Sequence, residues 1–144
     1  MHKLIEEYFQ SLVDALSASP VVASSDATLD KRGPRAGLIR GEARFVDRSR
    51  LNFSELVADI QTAIVRTMYS FHYQNSKDEL IFRYDDTPHH PEVTGFPHHK
   101  HNGENVLPTE PPTLEKVLKE ITTIVTDAKP KSDADPSEAS QGEV

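Results

Sequence analysis

Hydrophobic positions near the start of the chain recur every four residues: Leu4, Tyr8, Leu12 and Leu16 form one row, and Ile5, Phe9 and Val13 a second beside it. Two adjacent rows at that spacing make a single apolar face on a helix. Residues 2–17 are therefore predicted to form an amphipathic α-helix, which Pro20 terminates. Beyond it the period falls to two. β-Branched and aromatic residues alternate with polar ones between short polar breaks, which predicts five strands at about 21–30, 35–46, 50–57, 62–74 and 79–86. The breaks at Gly33-Pro34, Asp47 to Ser49, Ala58 to Ile60 and Asn75 to Asp78 are short, so neighbouring strands are expected to be antiparallel.

Alternation also assigns faces. Val65, Tyr69, Phe71 and Tyr73 occupy one side of their strand, and Leu80, Phe82 and Tyr84 one side of the next. A four-residue loop over Asn75 to Asp78 pairs Tyr73 with Leu80, Phe71 with Phe82 and Tyr69 with Tyr84, leaving His72, Arg83 and Asp85 together on the other face. In the second strand, Arg40, Glu42 and Arg44 likewise lie opposite Ile39, Ala43 and Phe45. Prolines 88, 91, 97, 108, 111 and 112 argue for a loop over 87–112. Thr113 then caps a second helix with Leu114, Val117, Leu118, Ile121 and Val125 along one side. The expected fold is α+β: a five-stranded antiparallel curved meander sheet flanked by an N-terminal and a C-terminal helix, in one domain over 1–126. Its apolar face lies under one or both helices, and its polar face is free for a site. Residues 127–144 hold five acids and two lysines with few apolar side chains, and are expected to form a disordered acidic tail.

Composition narrows the chemistry. No apolar run approaches the roughly 18 residues of a membrane span, and the N-terminal segment is too acidic for a secretory signal, so a cytoplasmic protein without a membrane partner is expected. With no cysteine, disulfides, thiolate zinc sites and cysteine nucleophiles are excluded, and any metal must be held by histidine and carboxylate. The net charge of −7 argues against a nucleic-acid partner until its distribution is considered. Lys31 to Arg50 carries seven basic residues against two acidic ones. Arg40 and Arg44 could thus track a phosphate backbone, or they could be the solvated side of a half-buried strand.

Five of the seven histidines fall within "PHHPEVTGFPHHKH", residues 88–101, and His72 lies shortly upstream. Imidazole titrates near neutral pH and is also the commonest transition-metal ligand, so two chemistries are open. In the first, two of His72, His90 and His99 act as base and acid on RNA, with Arg83 or Lys100 facing the phosphorane and Asp85 beside Arg83. In the second, the His99-x-His101 pair, joined by His89, His90 or Asp85, holds a divalent metal such as zinc, structurally or as a phosphodiesterase centre. A third reading is nonenzymatic: the basic strand and the histidine loop bind a partner or nucleic acid, and Arg83 and Asp85 form a plain ion pair on the strand.

Residues 69–101, "YSFHYQNSKDELIFRYDDTPHHPEVTGFPHHKH", resemble the signature of the TumE family of small prokaryotic toxins. His72 to Gln74, Arg83 to Asp85, Pro88 to His90 and Pro97 to His101 carry the likeness, in that order. It extends over about residues 20–125. The resemblance implies a toxin paired with a helix-turn-helix antitoxin and an activity directed at RNA. The N-terminal helix is an addition to that pattern that could reposition the first strand or make the chain a homo-oligomer.

Overall fold

The rows of the first helix are used as their spacing predicts. In the computed structural model, which describes residues 3–86, 99–102, 105–108 and 111–132, α1 spans Lys3–Ala18 and buries Ile5, Leu12 and Leu16. Tyr8 and Phe9 are half-buried against the same core. Seven strands follow in one antiparallel sheet, in sequence order: β1 (Val22–Lys31), β2 (Ala36–Phe45), β3 (Arg50–Ile60), β4 (Ala63–Gln74), β5 (Leu80–Asp85), β6 (His99–Asn102) and β7 (Asn105–Pro108). The chain ends its described part in α2 (Leu114–Ser132). The architecture is the expected α+β meander with a helix at each end.

Three features differ from the sequence reading. β6 and β7 lie inside the segment expected to be a loop, so the five-stranded sheet is extended by two short strands. The outer edge of β5 offers a row of backbone donors and acceptors that β6 satisfies, with Tyr84 opposite Lys100. Pro108 is tolerated because it ends the outermost strand, where a missing N–H is least costly. Second, β3 runs on to Ile60 through Asp59, and the turn falls at Gln61 and Thr62, both left-handed at φ 52° and 63°. Half-buried Asp59 lies two residues beyond buried Val57 on the same face, and this polar residue does not stop the strand.

Third, the β4–β5 register is displaced by two residues from the expected one. Asn75 N–H donates to the Glu79 carbonyl (2.9 Å), so the loop is one residue shorter, and an irregularity after Tyr73 adds a second step. Tyr73 therefore faces Phe82, and Phe71 faces Tyr84. A shift of two leaves Tyr69, Phe71, Tyr73, Phe82 and Tyr84 on their expected face, whereas Leu80, beyond the irregularity and opposite Gln74, is exposed.

Both helices cover the same side of the sheet. Two groups of ring contacts form there: Tyr73 meets Phe45 at 5.7 Å and Phe82 at 5.2 Å, and Phe53 stacks on Phe71 at 6.1 Å. Phe71 is flanked by Tyr69 at 6.1 Å. Gly41 is required by this arrangement: a Cβ on it would lie 2.4 Å from the Phe53 ring opposite. One carboxylate is buried among these apolar groups. Glu55 accepts hydrogen bonds from Tyr8 of α1 and from Arg66 of β4 (3.2 Å), and Arg66 stands 4.4 Å over the Tyr69 ring. Burial pushes the Glu55 carboxyl above its ordinary pKa and the Tyr8 hydroxyl far above its own.

α2 is capped as predicted, with Lys116 N–H donating to Thr113 Oγ1 (3.2 Å). Leu114, Val117, Leu118, Ile121 and Val125 are all buried. The helix continues past residue 127, where the acidic tail was expected to begin, as far as Ser132; residues 133–144 lie outside the described part. No helix among the described residues is long and apolar enough to cross a membrane.

Candidate functional site

The uncovered face of the sheet is polar because alternation leaves it so. Asn52 and Ser54 of β3 alternate with buried Leu51, Phe53 and Glu55, while Ser70 and His72 of β4 alternate with buried Tyr69, Phe71 and Tyr73. Strand pairing sets these residues in rows across the sheet. One row runs Glu42, Asn52, His72, Arg83, His101 from β2 to β6, and the next runs Arg40, Ser54, Ser70, Asp85, His99. Between them lies an open groove of about 560 Å³ lined by Arg40, Asn52, Ser54, Ser70, His72, Gln74 and Arg83.

At its centre a chain of three side chains joins β4 to β5. Arg83 Nε donates to Asp85 Oδ2 at 2.6 Å, and Arg83 Nη1 lies 3.2 Å from His72 Nδ1. A guanidinium has no acceptor, so His72 Nδ1 accepts and the proton of its neutral ring sits on Nε2. Burial, and then the charge of Arg83, hold the His72 pKa below its ordinary value of 6.5. The imidazole is therefore neutral at physiological pH, with its basic nitrogen occupied. Asp85, only 1% exposed, anchors an arginine whose side chain is 37% exposed. The buried carboxylate fixes one end of the guanidinium and leaves the other at the groove.

The basic residues divide between the two faces. Arg40 is exposed, lines the groove, and makes no ion pair among the described residues. Arg44 lies two rows further along β2 and is partly neutralised by Glu42 at 3.5 Å. Lys100, expected to face phosphate, is on the helix side instead. Its Nζ donates to Glu120 Oε2 of α2 (2.7 Å) and stands 5.0 Å over the Tyr84 ring and 5.1 Å over Phe82. Lys100 stands opposite Tyr84 of β5, and both bond Glu120 of α2, which places Lys100 on the helix side.

His99 and His101 occupy strand positions opposite Asp85 and Arg83, which brings the H-x-H pair to the His72 row and its neighbour. His89 and His90, the remaining metal candidates, lie outside the described residues. Among the described residues, no three histidine or carboxylate side chains gather as a metal site. His72, Arg83 and Asp85 are thus brought together as expected, whereas Lys100 is removed. Asn52, Ser54, Ser70 and Gln74 were not singled out from sequence; the alternation in "LNFSEL" and "YSFHYQ" is the signal that would have found the first three beside His72.

A two-helix antiparallel meander with a cationic, histidine-bearing groove on its open face defines the class. The model of the family described as Toxin TumE matches residues 10–128, most of the chain. The chain belongs to the TumE toxin family. No curated protein and no solved structure gives a match.

Proposed function

We propose that this chain is the toxin of a toxin–antitoxin pair and that it cleaves RNA by histidine acid–base chemistry, its partner being a helix-turn-helix antitoxin. The observation that carries the reading is the His72–Arg83–Asp85 chain set in the groove, with the unneutralised Arg40 nearby. In the free protein Arg83 occupies the basic nitrogen of His72. A phosphodiester entering the groove draws Arg83 Nη1 to a nonbridging oxygen while Asp85 retains Nε. His72 Nδ1 is then released to take the proton of a ribose 2′-hydroxyl.

The 2′-oxygen attacks phosphorus, charge develops on the equatorial oxygens facing Arg83, and the bond to the 5′-oxygen breaks. The products are a 2′,3′-cyclic phosphate and a 5′-hydroxyl, whose proton comes from a second imidazole. His99, at the strand position opposite Asp85, is the first candidate for that acid, and His90 the second. Arg40 holds a neighbouring phosphate.

The test is induction of the wild-type chain beside His72→Ala, checked for folding, with analysis of RNA ends. Expected are growth arrest and fragments ending in 2′,3′-cyclic phosphate from the wild type only, and resistance of RNA that is 2′-deoxy at the cut. Growth arrest with intact RNA would overturn cleavage in favour of nonenzymatic binding. Cleavage abolished by a chelator and restored by zinc would replace the acid–base mechanism with a metal centre at His89, His90, His99 and His101.

A further inference from the structure

RNA cleavage at His72, Arg83, Asp85 and Arg40 leaves Asn52, Ser54, Ser70 and Gln74 of the groove without a task. Asn52 stands directly opposite His72 in the β3–β4 register and lines the same groove. Directly opposed residues on one face of an antiparallel pair have Cβ atoms roughly 5 Å apart. Its side chain is exposed and makes no hydrogen bond among the described residues. Gln74, the other groove amide, is engaged by Arg50 at 3.4 Å and by the Asp78 carbonyl at 3.1 Å. Asn52 therefore presents an uncommitted donor and acceptor next to the base that would start the reaction.

The rest of the open face limits how a nucleobase can be held. The aromatic residues of β2 to β5 all lie on the helix side, in register with one another. Phe53 borders the groove but is only 4% exposed, so the described part of the groove offers no open ring for aromatic stacking, the sequence-tolerant way of holding single-stranded RNA. Hydrogen bonding to a base edge is the recognition chemistry that remains. The positions of the cations set the path. Arg83 on β5 and Arg40 on β2 are separated by three strand spacings, roughly 14 Å, and β3 with Asn52 lies between them. Arg83 shares the row of Asn52 and Arg40 that of Ser54, so an RNA strand whose phosphates meet both cations crosses β3 at Asn52 and Ser54.

We propose that Asn52 reads the Watson–Crick edge of the nucleotide bound at His72 and Arg83 and sets the base preference of the groove; this rests on the reading of the groove as an RNA site. The carboxamide pairs one donor and one acceptor with a base edge that offers the complement. Asn52→Asp replaces the donor with a second acceptor at nearly unchanged shape. It should then favour guanine, whose N1–H and N2–H are two adjacent donors.

The experiment uses the full-length chain as wild type, Asn52→Asp and Asn52→Ala, each checked by thermal melting. Binding is measured to short oligoribonucleotides that differ in one base, and the ends of cleaved cellular RNA are sequenced in parallel. Asn52→Asp is expected to shift relative preference toward guanine by about tenfold, and Asn52→Ala to flatten the ranking of bases. The proposal is overturned if all three proteins rank the bases in the same order, even where affinity or rate falls uniformly. A shifted ranking with every RNA left intact would support Asn52 as the reader and overturn cleavage. Cleavage with an unmoved ranking would do the reverse, and a wild type that binds none of the RNAs would overturn both.

Discussion

On the helix side of the sheet, Phe53, Phe71, Tyr73 and Phe82 are at most 4% exposed and touch ring to ring, whereas the same strands show Asn52, Ser70, His72 and Arg83 to solvent on the other side. The two inventories come from one sequence pattern of period two. Their duties differ. The helix side supplies burial, at about 25 cal/mol for each Å² of apolar surface removed from water. The open side buries little, so its polar groups can be chosen for chemistry with small effect on folding. Even the ion pairs follow this division. Glu55 with Arg66 secures α1 and β4 within the core, while Asp85 with Arg83 leaves one end of a guanidinium at the groove.

Substitutions on the two faces should therefore separate activity from stability. The largest effect is expected at His72: His72→Ala should lower RNA cleavage by roughly 10²–10⁴-fold while leaving the denaturant midpoint almost unchanged. A stability loss that accounts for the lost activity would break the comparison. Phe71→Ala should do the opposite, destabilising by roughly 3–5 kcal/mol in urea unfolding. Whatever fraction stays folded should retain its specific activity.

Tyr8→Phe removes a donor from the buried Glu55 carboxylate and should cost roughly 1–3 kcal/mol, with no change in cleavage products. Arg40→Gln should weaken RNA binding at low salt and reduce the slope of log affinity against log salt by about one. An unchanged slope would remove Arg40 from the phosphate path.

The smallest effect concerns pH. Burial and Arg83 disfavour the His72 imidazolium, so the acid limb of kcat/KM should lie below the ordinary histidine value of 6.5. Arg83→Gln removes the charged contribution and should move that limb upward in whatever activity is left. For stability the sign follows from the unfolded chain, which binds this proton first as pH falls. The contribution of His72 is full above pH 6.5 and is lost below it, with no change expected on the alkaline side.

Much of this protein follows from sequence periodicity alone. The four-residue spacing of Leu4 to Leu16 and of Ile5 to Val13 determined α1, and alternation determined the faces of β2 to β5, including the placement of His72, Arg83 and Asp85 together. The faces survived a register error of two residues because side-chain direction repeats every two. What sequence did not show required knowledge of neighbours. β6 and β7 exist because β5 has an edge to satisfy, a property of the assembled sheet that a proline-rich stretch does not reveal. Lys100 was assigned to phosphate from its histidine neighbours, yet it stands opposite Tyr84 and bonds Glu120 on the helix side. The donor to buried Glu55 is Tyr8, 47 residues away in the sequence. Local pattern determines which way a side chain points, because that depends on the backbone of a few residues. Only tertiary structure decides what it meets there, because the partner comes from another part of the chain.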